Sequence, residues 1–447
     1  MKERWIDVAA DADDKQEALF ANWLSGKGVP FVSAEAEEAY RERVTLMKDA
    51  IQLRKKPQRI PICPSAGFFP IHYAGHSMYE AMYDYEILAQ AWRKYCADFA
   101  PDAYNSPMTI VPGRVLDILD FLLCRWPGHG VSEQHEYQYV EKEYMKAAEY
   151  QDLIDDPTGF FLTVFLPRIF GALKPLERVP LLPPINEIVC VPPAMIPFGM
   201  EEMQSALKKL MEAGGETLKW IGAVRRINES VMSTGFPSFS AGFTKAPFDV
   251  IGDTLRGTTG VLTDMYRNRD ALLEACERLT PFMIKAGVAS AKAAGHIMPF
   301  IPLHKGGDGF MSDEQFRTFY WPTLRKLIIG LVNEGVVPLL FAEGGYNQRL
   351  EVICDIPKGK TVWWFDRTDM ERAKQTVGQV ACIAGNVPVS LLATGAPDDV
   401  KTYCKALMDV AGADGGFLFS TGAGIQGSKF ENVKAMMDFS KQYAAQA

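Results

Sequence analysis

Residues 298–366 read MPFIPLHKGGDGFMSDEQFRTFYWPTLRKLIIGLVNEGVVPLLFAEGGYNQRLEVICDIPKGKTVWWFD, and the reading of this stretch decides the fold. The apolar run MPFIPL leads into His304 and the glycine-rich turn Lys305-Gly306-Gly307-Asp308-Gly309. A helix opens at Ser312, with Glu314 two places on, and runs through FRTFYWPTLRKLIIGLVNEG to Gly335. A second apolar run, VVPLLF, delivers Ala342-Glu343-Gly344-Gly345; a helix-like turn ends near Pro357, and TVWWF delivers Asp366. Short β-runs separated by helical patterns imply parallel strands joined by crossover helices. In such folds chemistry gathers at the carboxyl ends of the strands, where His304, Glu343 and Asp366 lie.

The same rhythm extends in both directions. Strands are expected near 298–303, 336–341, 361–366, 380–385 and 416–420, and the loops after them begin with His304, Glu343, Asp366, Asn386 and Ser420. Upstream, RIPICPS reads as a first strand. The aromatic turn after it, AGFFPIHYAGHSMYEAMYD, holds His72, Tyr73 and His76, and either lines an aromatic pocket or packs as a hydrophobic lid. Glu86 to Ala100 reads as a helix and DAYNSPMTI as a second strand. Residues 121–151 lack clean periodicity and read as a polar, tyrosine-rich excursion, whose His129, His135, Glu133 and Glu136 fit a solvated surface better than a metal site. A proline-rich connector, PLERVPLLPPINEIVCVPPAMIPFG, and an amphipathic helix from Glu201 to Ile227 follow. The Gly-, Ser- and Phe-rich stretch beyond them, from SVMSTGFPSF onward, suits a ligand-contacting lid or an ordinary connection. The predicted fold is α/β: a (β/α)8 TIM barrel over 58–447 with loop insertions, preceded by a helical N-terminal extension over 1–57.

At 447 residues and 48% hydrophobic, the chain can bury a large core. Its net charge is −8 and its Lys and Arg are scattered, which excludes the basic stripe that nucleic acid requires. The N-terminus lacks a signal-peptide core and no run of 18 uncharged apolar residues occurs, so no membrane association and a cytoplasmic location are expected. Eight cysteines stand without CxxC pairing, which indicates neither a disulfide framework nor a thiolate knuckle.

Glu343 follows an apolar strand and precedes two glycines, so a carboxylate is delivered where backbone can approach a ligand closely. It suits a general acid or base, or a metal ligand; a salt bridge at the rim is the structural alternative. His304, with Asp308 four residues on, suits an acid/base pair or a shared cation, or merely caps the next helix. Asp366, beyond Trp364 and Phe365, can orient a substrate against an aromatic wall. KGGDGF, EGGYN and TGAGIQG match neither a P-loop nor a dinucleotide fingerprint, and no GxSxG or HExxH occurs.

The segments GDGFMSDEQFRTFYWPTLRKLIIGLVNEGVVPLLFAEGG, IAGNVPVSLLATGAPDDVKTYCKAL and GADGGFLFSTGAGI resemble the uroporphyrinogen decarboxylase superfamily over roughly residues 290–447. That resemblance implies a (β/α)8 barrel and one of two activities, decarboxylation of a porphyrin precursor or cobalamin-linked methyl transfer. The decarboxylase branch carries an arginine-containing motif in its first barrel loop; here that loop is PSAGFFPIHYAGHS, without arginine, and a polycarboxylate would find no partner there. Thiol-using methyltransferases of the superfamily carry a zinc site of histidine and cysteines. The matching positions here are Phe341, Glu343 and Ala423, so the soft thiolate site is absent and an oxygen-centred task is implied.

The resemblance therefore implies a corrinoid-dependent methyltransferase. It would move a methyl group between a small methylated substrate, an aryl methyl ether undergoing O-demethylation being the favoured class, and the cobalt of a corrinoid (methylcobalamin) carried by a partner corrinoid protein. Catalysis is expected from Glu343, His304 and Asp308, with His304 and Glu343 as the metal pair if zinc is used. Substrate contacts are expected from His72, Tyr73, His76, Phe341, Asn347, Trp364 and Asp366. A homodimer is compatible with this reading. The alternatives are a cofactor-free carboxy-lyase of an aromatic or pyrrolic carboxylate, using Arg125, Arg256 or Lys305, and a corrinoid-binding protein without catalysis.

Overall fold

The structure is a computed structural model that describes residues 7–180, 182 and 185–445; residues 1–6 of the N-terminal extension and 181, 183 and 184 of the proline-rich connector lie outside the described residues. Three short strands, β1 (Cys124–Pro127), β2 (Gly130–Val131) and β3 (Gln138–Tyr139), form a small sheet inside the tyrosine-rich excursion. The main sheet comprises β4 (Phe300–Leu303), β5 (Leu339–Ala342), β6 (Val362–Phe365), β7 (Cys382–Val387) and β8 (Phe417–Thr421). All are parallel, and neighbours in sequence are neighbours in the sheet.

Backbone pairing carries this sheet round to meet itself. Ile62 pairs with Phe419 of β8, Tyr104 with Ser238, and Phe243 with Phe300 of β4, all in parallel. The Asp102 amide donates to the Ile62 carbonyl at 2.8 Å, joining the first two of these segments. The segments around 62, 104 and 238–243 thus fill three places beside the five strands, and the ring has the eight places of the expected α/β barrel. The early places are thin because side chains interrupt their ladders. The Asp102 carboxylate accepts the Ile62 amide at 2.7 Å and is held by both Arg59 guanidinium nitrogens at 2.6 and 2.8 Å.

Alternation along the strands separates two cores. Cys63, Phe239, Met298, Leu339, Val362, Trp364, Cys382, Ala384 and Leu418 form a cluster in the lumen, whereas Ile301, Leu303, Leu340, Trp363, Phe365, Ile383 and Phe419 pack outward with the surrounding helices. The lumen cluster also takes in Phe20 and Trp23 of helix α1 (Ala12–Ser25) and Tyr40, Val44, Met47 and Ile51 of α2 (Ala34–Gln52). Just before β6, Lys360 donates to Gln16 at 2.9 Å and pairs with Asp13. The two N-terminal helices therefore plug the amino end of the barrel, and α2 starts at Ser33, whose side chain caps the Ala36 amide.

The excursion is strapped to the segment after the third barrel place. Arg256, 4% exposed, donates to Asp264 at 2.5 Å and to the Met145 carbonyl at 2.6 Å, and also pairs with Glu143. Tyr150 donates to Asp264 at 2.9 Å, and the amides of Tyr144 and Met145 both donate to the Leu255 carbonyl. Among the described residues no helix is long and apolar enough to cross a membrane.

Candidate active site

Strand register assembles the site. Pro302, Phe341 and Trp364 stand opposite one another across β4, β5 and β6, and the Phe341 and Trp364 rings lie 4.4 Å apart in the lumen. Two residues farther along each strand, His304, Glu343 and Asp366 fall on the same face by the two-residue period of a strand. The His304 Nε2 lies 3.5 Å from Glu343 Oε2. Asp366 accepts the Gly344 amide at 2.9 Å and so fixes the backbone that follows Glu343. Both members of the histidine–glutamate pair are solvent-accessible, their side chains 37% and 52% exposed.

The other histidine nitrogen is taken. His304 Nδ1 lies 2.6 Å from Asp253 Oδ2, and Asp253 also pairs with Lys245 at 2.6 Å and Lys305 at 3.4 Å. Lys305 in turn donates to Thr258 Oγ1 at 2.8 Å. Beneath them Asp249, fully buried, accepts from the His304 amide at 3.2 Å, the Lys305 amide at 2.9 Å and the Tyr320 hydroxyl at 2.6 Å. Asp249 ends the helical turn Pro247–Asp249, and Asp253 lies on the π-helical turn Val250–Leu255 that continues it. Wide turns of that kind recur at functional sites.

These contacts set the charges. Burial opposes the Asp253 carboxylate, but the His304 hydrogen bond and the Lys245 charge outweigh it and hold Asp253 at about 2. Burial, and then the charge of Asp253, push Asp249 up. Removal from water works against the His304 cation; the Asp253 hydrogen bond and charge overcome it, with Asp249 and Glu343 adding, and His304 is raised above its ordinary value. The site is thus an imidazole whose cation is favoured by the carboxylate that braces Nδ1, with Nε2 3.5 Å from a second carboxyl group. It can hold and deliver a proton at the barrel mouth.

Of the residues singled out in the sequence, His304, Glu343 and Asp366 converge, above the lumen rings of Phe341 and Trp364. Asp308 instead accepts the Gln348 amide at 3.2 Å, beside the buried Arg349, and ties the loop after β4 to the loop after β5. Asn347 accepts the Asp369 amide at 3.0 Å and so holds the start of the helix Met370–Gln375. Tyr73 stacks on Phe69, meets Phe99 and Phe430 edge-on and donates to Asp98 at 2.8 Å, among the outer helices. His76 lies 3.7 Å from Glu80, and His72, held below its ordinary value by burial, is within electrostatic reach of His135 on the excursion. Arg256 is consumed by Asp264 and Glu143, Arg125 lies on β1 with its side chain beside Gly130, and Lys305 is held at Asp253.

The residues that sequence reading missed are Lys245, Asp249 and Asp253. They sit in FTKAPFDVIGDTL, within the stretch read as a lid or connection, and the available signal was two aspartates four apart at a helical turn. As a metal site the mouth offers only His304 Nε2 and Glu343, and among the described residues no group of three His, Cys, Asp or Glu is arranged to hold an ion. Cys63 and Cys382 are buried in the lumen cluster, where burial pushes both thiols up. This donor set does not fit the thiolate zinc centre of the thiol-using branch.

The family model described as Uroporphyrinogen decarboxylase (URO-D) matches residues 195–443, which span Lys245 to Asp366 and all five strands β4–β8. Among solved structures, a methyltransferase from Methanosarcina mazei superposes with a TM-score of 0.60 at 16% identity, covering 91% of this chain and 98% of that one. A B12-independent methionine synthase from Shewanella sp. W3-18-1, in complex with selenomethionine, gives a TM-score of 0.32 at 11% identity over 45% of this chain and 61% of its own. No curated protein matches significantly in sequence.

Proposed function

The chain belongs to the uroporphyrinogen decarboxylase family, and from that premise we propose that it is a corrinoid-dependent methyltransferase that takes a methyl group from the oxygen of a small methylated donor, an aryl methyl ether being the favoured class. The observation that carries this reading is the relay Asp253–His304–Glu343, with contacts of 2.6 and 3.5 Å; its Glu343 is the residue that the resemblance matches to a thiolate position of the thiol-using branch. An ether oxygen leaves poorly unless it is protonated as the carbon–oxygen bond breaks. His304 holds a proton on Nε2, Glu343 lies beside it, and the fixed charges of Asp253, Lys245 and Lys305 need no rearrangement as the leaving oxygen gains charge. When bound, the corrinoid supplies the nucleophilic metal that accepts the methyl group. His304 and Glu343 are exposed at the carboxyl end of the barrel, the face on which a partner protein would present that group. The residues here route no step through zinc.

The carboxy-lyase alternative needs an unpaired cation to grip a carboxylate, but Lys245 and Lys305 are both turned to Asp253. The test is to mix the purified protein with cob(I)alamin and methylated donors and follow loss of the cob(I)alamin spectrum. Glu343→Gln and His304→Gln are expected to slow it by about 10²- to 10⁴-fold, the range for general acid catalysis. Full activity in both variants, or carbon dioxide release from an aromatic acid in place of methyl transfer, overturns the proposal.

A further inference from the structure

The excursion of β1–β3 does not lie out in solvent. Tyr139 of β3 donates its hydroxyl to the backbone carbonyl of Asp253, the residue that braces His304. Glu141 accepts the Thr258 amide at 2.6 Å, and Thr258 is the residue that also holds Lys305. These two anchors pin the excursion across the barrel mouth on the side of the relay. Tyr137, immediately before β3 and two residues from the Tyr139 anchor, reaches the other side of the mouth: its ring meets Phe68 edge-on at 6.2 Å. Phe68 belongs to the loop after the first barrel place and is 8% exposed, whereas Tyr137 remains 50% exposed. The Tyr137 ring is thus packed on Phe68 along part of its surface and uncovered over the rest. From below, the lumen presents a second aromatic surface of Phe341 and Trp364.

An arm anchored by hydrogen bonds to the catalytic turn, carrying a half-exposed aromatic ring that packs on the loop after the first barrel place, is built to recognise a flat apolar ring whose oxygen substituent lies at the relay. Resting on the methyltransferase reading, we infer that the arm is the lid of the substrate site and that Tyr137, backed by Phe68, is its specificity-determining residue, holding the ring of an aryl methyl ether while His304 and Glu343 meet the ether oxygen. Aromatic faces pair offset or edge-on, and such a contact together with the area it covers supports a change in affinity of about tenfold. A donor without a ring makes no such contact.

The experiment compares wild type, Tyr137→Ala and Tyr137→Phe with two donors, guaiacol and methanol, in the cob(I)alamin assay, and measures guaiacol binding directly by calorimetry. Tyr137→Ala is expected to raise KM and Kd for guaiacol about tenfold while kcat changes by less than about threefold, and Tyr137→Phe is expected to bind guaiacol as wild type does. Unchanged guaiacol affinity in Tyr137→Ala, or equal use of methanol and guaiacol by the wild type, overturns the inference. Calorimetry separates the two readings: guaiacol binding that depends on Tyr137 without any methyl transfer retains the lid and overturns the reaction, whereas methyl transfer that is indifferent to Tyr137 does the reverse. A circular dichroism melt of each variant confirms the fold.

Discussion

His304 and Asp253 are 51 residues apart in sequence and 2.6 Å apart in space, Nδ1 to Oδ2. The end of one barrel strand is thereby locked to the helical turn that follows the preceding place of the ring, and the free nitrogen of the imidazole is directed at Glu343. A hydrogen bond to Nδ1 decides which nitrogen is available for chemistry and holds the ring in one orientation.

That lock predicts the pH profile. Because His304 is raised by Asp253, its cation persists above pH 6.5, and proton delivery is lost as pH rises through the raised value. Asp253→Asn removes the charge responsible, so the alkaline limb of kcat/KM should move to lower pH while KM changes little. The paired ionisation also stabilises the fold. The Asp253 share is present above its ordinary value of 3.8 and is lost as pH falls through about 2; the His304 share is complete below 6.5 and is lost as pH rises through the raised value. Urea titrations of wild type and Asp253→Asn should converge at the acid extreme, whereas on the alkaline side the difference should shrink by the His304 share only, since Lys245 and Lys305 still face Asp253.

Asp249 is fully buried and accepts three hydrogen bonds, two of them from the backbone at His304 and Lys305. Asp249→Ala leaves those donors without a partner, and a stability loss of at least about 2 kcal/mol is expected in denaturant titrations. Because the end of β4 then loosens, kcat should fall more than KM rises.

Arg256 tests the attachment of the lid. Arg256→Met strands the Asp264 carboxylate, which is 0% exposed, and breaking a buried pair in this way costs about 3–5 kcal/mol. Limited proteolysis should then cut within residues 121–151. The double substitution Arg256→Met with Asp264→Leu should regain most of the stability, since no unpaired charge remains.

Gly344 and Gly345 should respond differently to alanine. Gly344 has φ of +80°, where a side chain is strained by about 1–2 kcal/mol, although space for a methyl group exists. Gly345 has no such backbone and its nearest neighbours lie at 3.6 and 3.9 Å. Gly344→Ala should lower the melting temperature and reduce kcat by displacing Glu343, while Gly345→Ala should be nearly silent in both measurements.

The strands that carried His304, Glu343 and Asp366 were legible because each is a short apolar run ending in a polar residue, and register then placed all three on one face. The third barrel place was not legible. Its residues 237–244 read PSFSAGFT, with proline, serines and glycine where a strand usually has β-branched residues, and only isolated bridges form there. Missing that strand hid the turn after it, and with the turn went Lys245, Asp249 and Asp253. Tyr73 misled for a different reason: an aromatic loop has the same composition whether its rings face a ligand or one another, and here Tyr73 packs with Phe69, Phe99 and Phe430. The excursion looked solvated because its polar residues are spent on anchoring, as with Glu141 at Thr258 and Glu143 at Arg256.

The plug formed by α1 and α2 closes the amino end of a lumen already filled with side chains, which leaves the barrel one face of approach. Two reactants that must meet at that face cannot arrive from opposite sides, so the smaller has to be seated first and the larger has to cover it. Steady-state kinetics should therefore show a compulsory sequence, with the methylated donor leading and the corrinoid carrier second, and an excess of the carrier should slow turnover by covering the relay before the donor is seated.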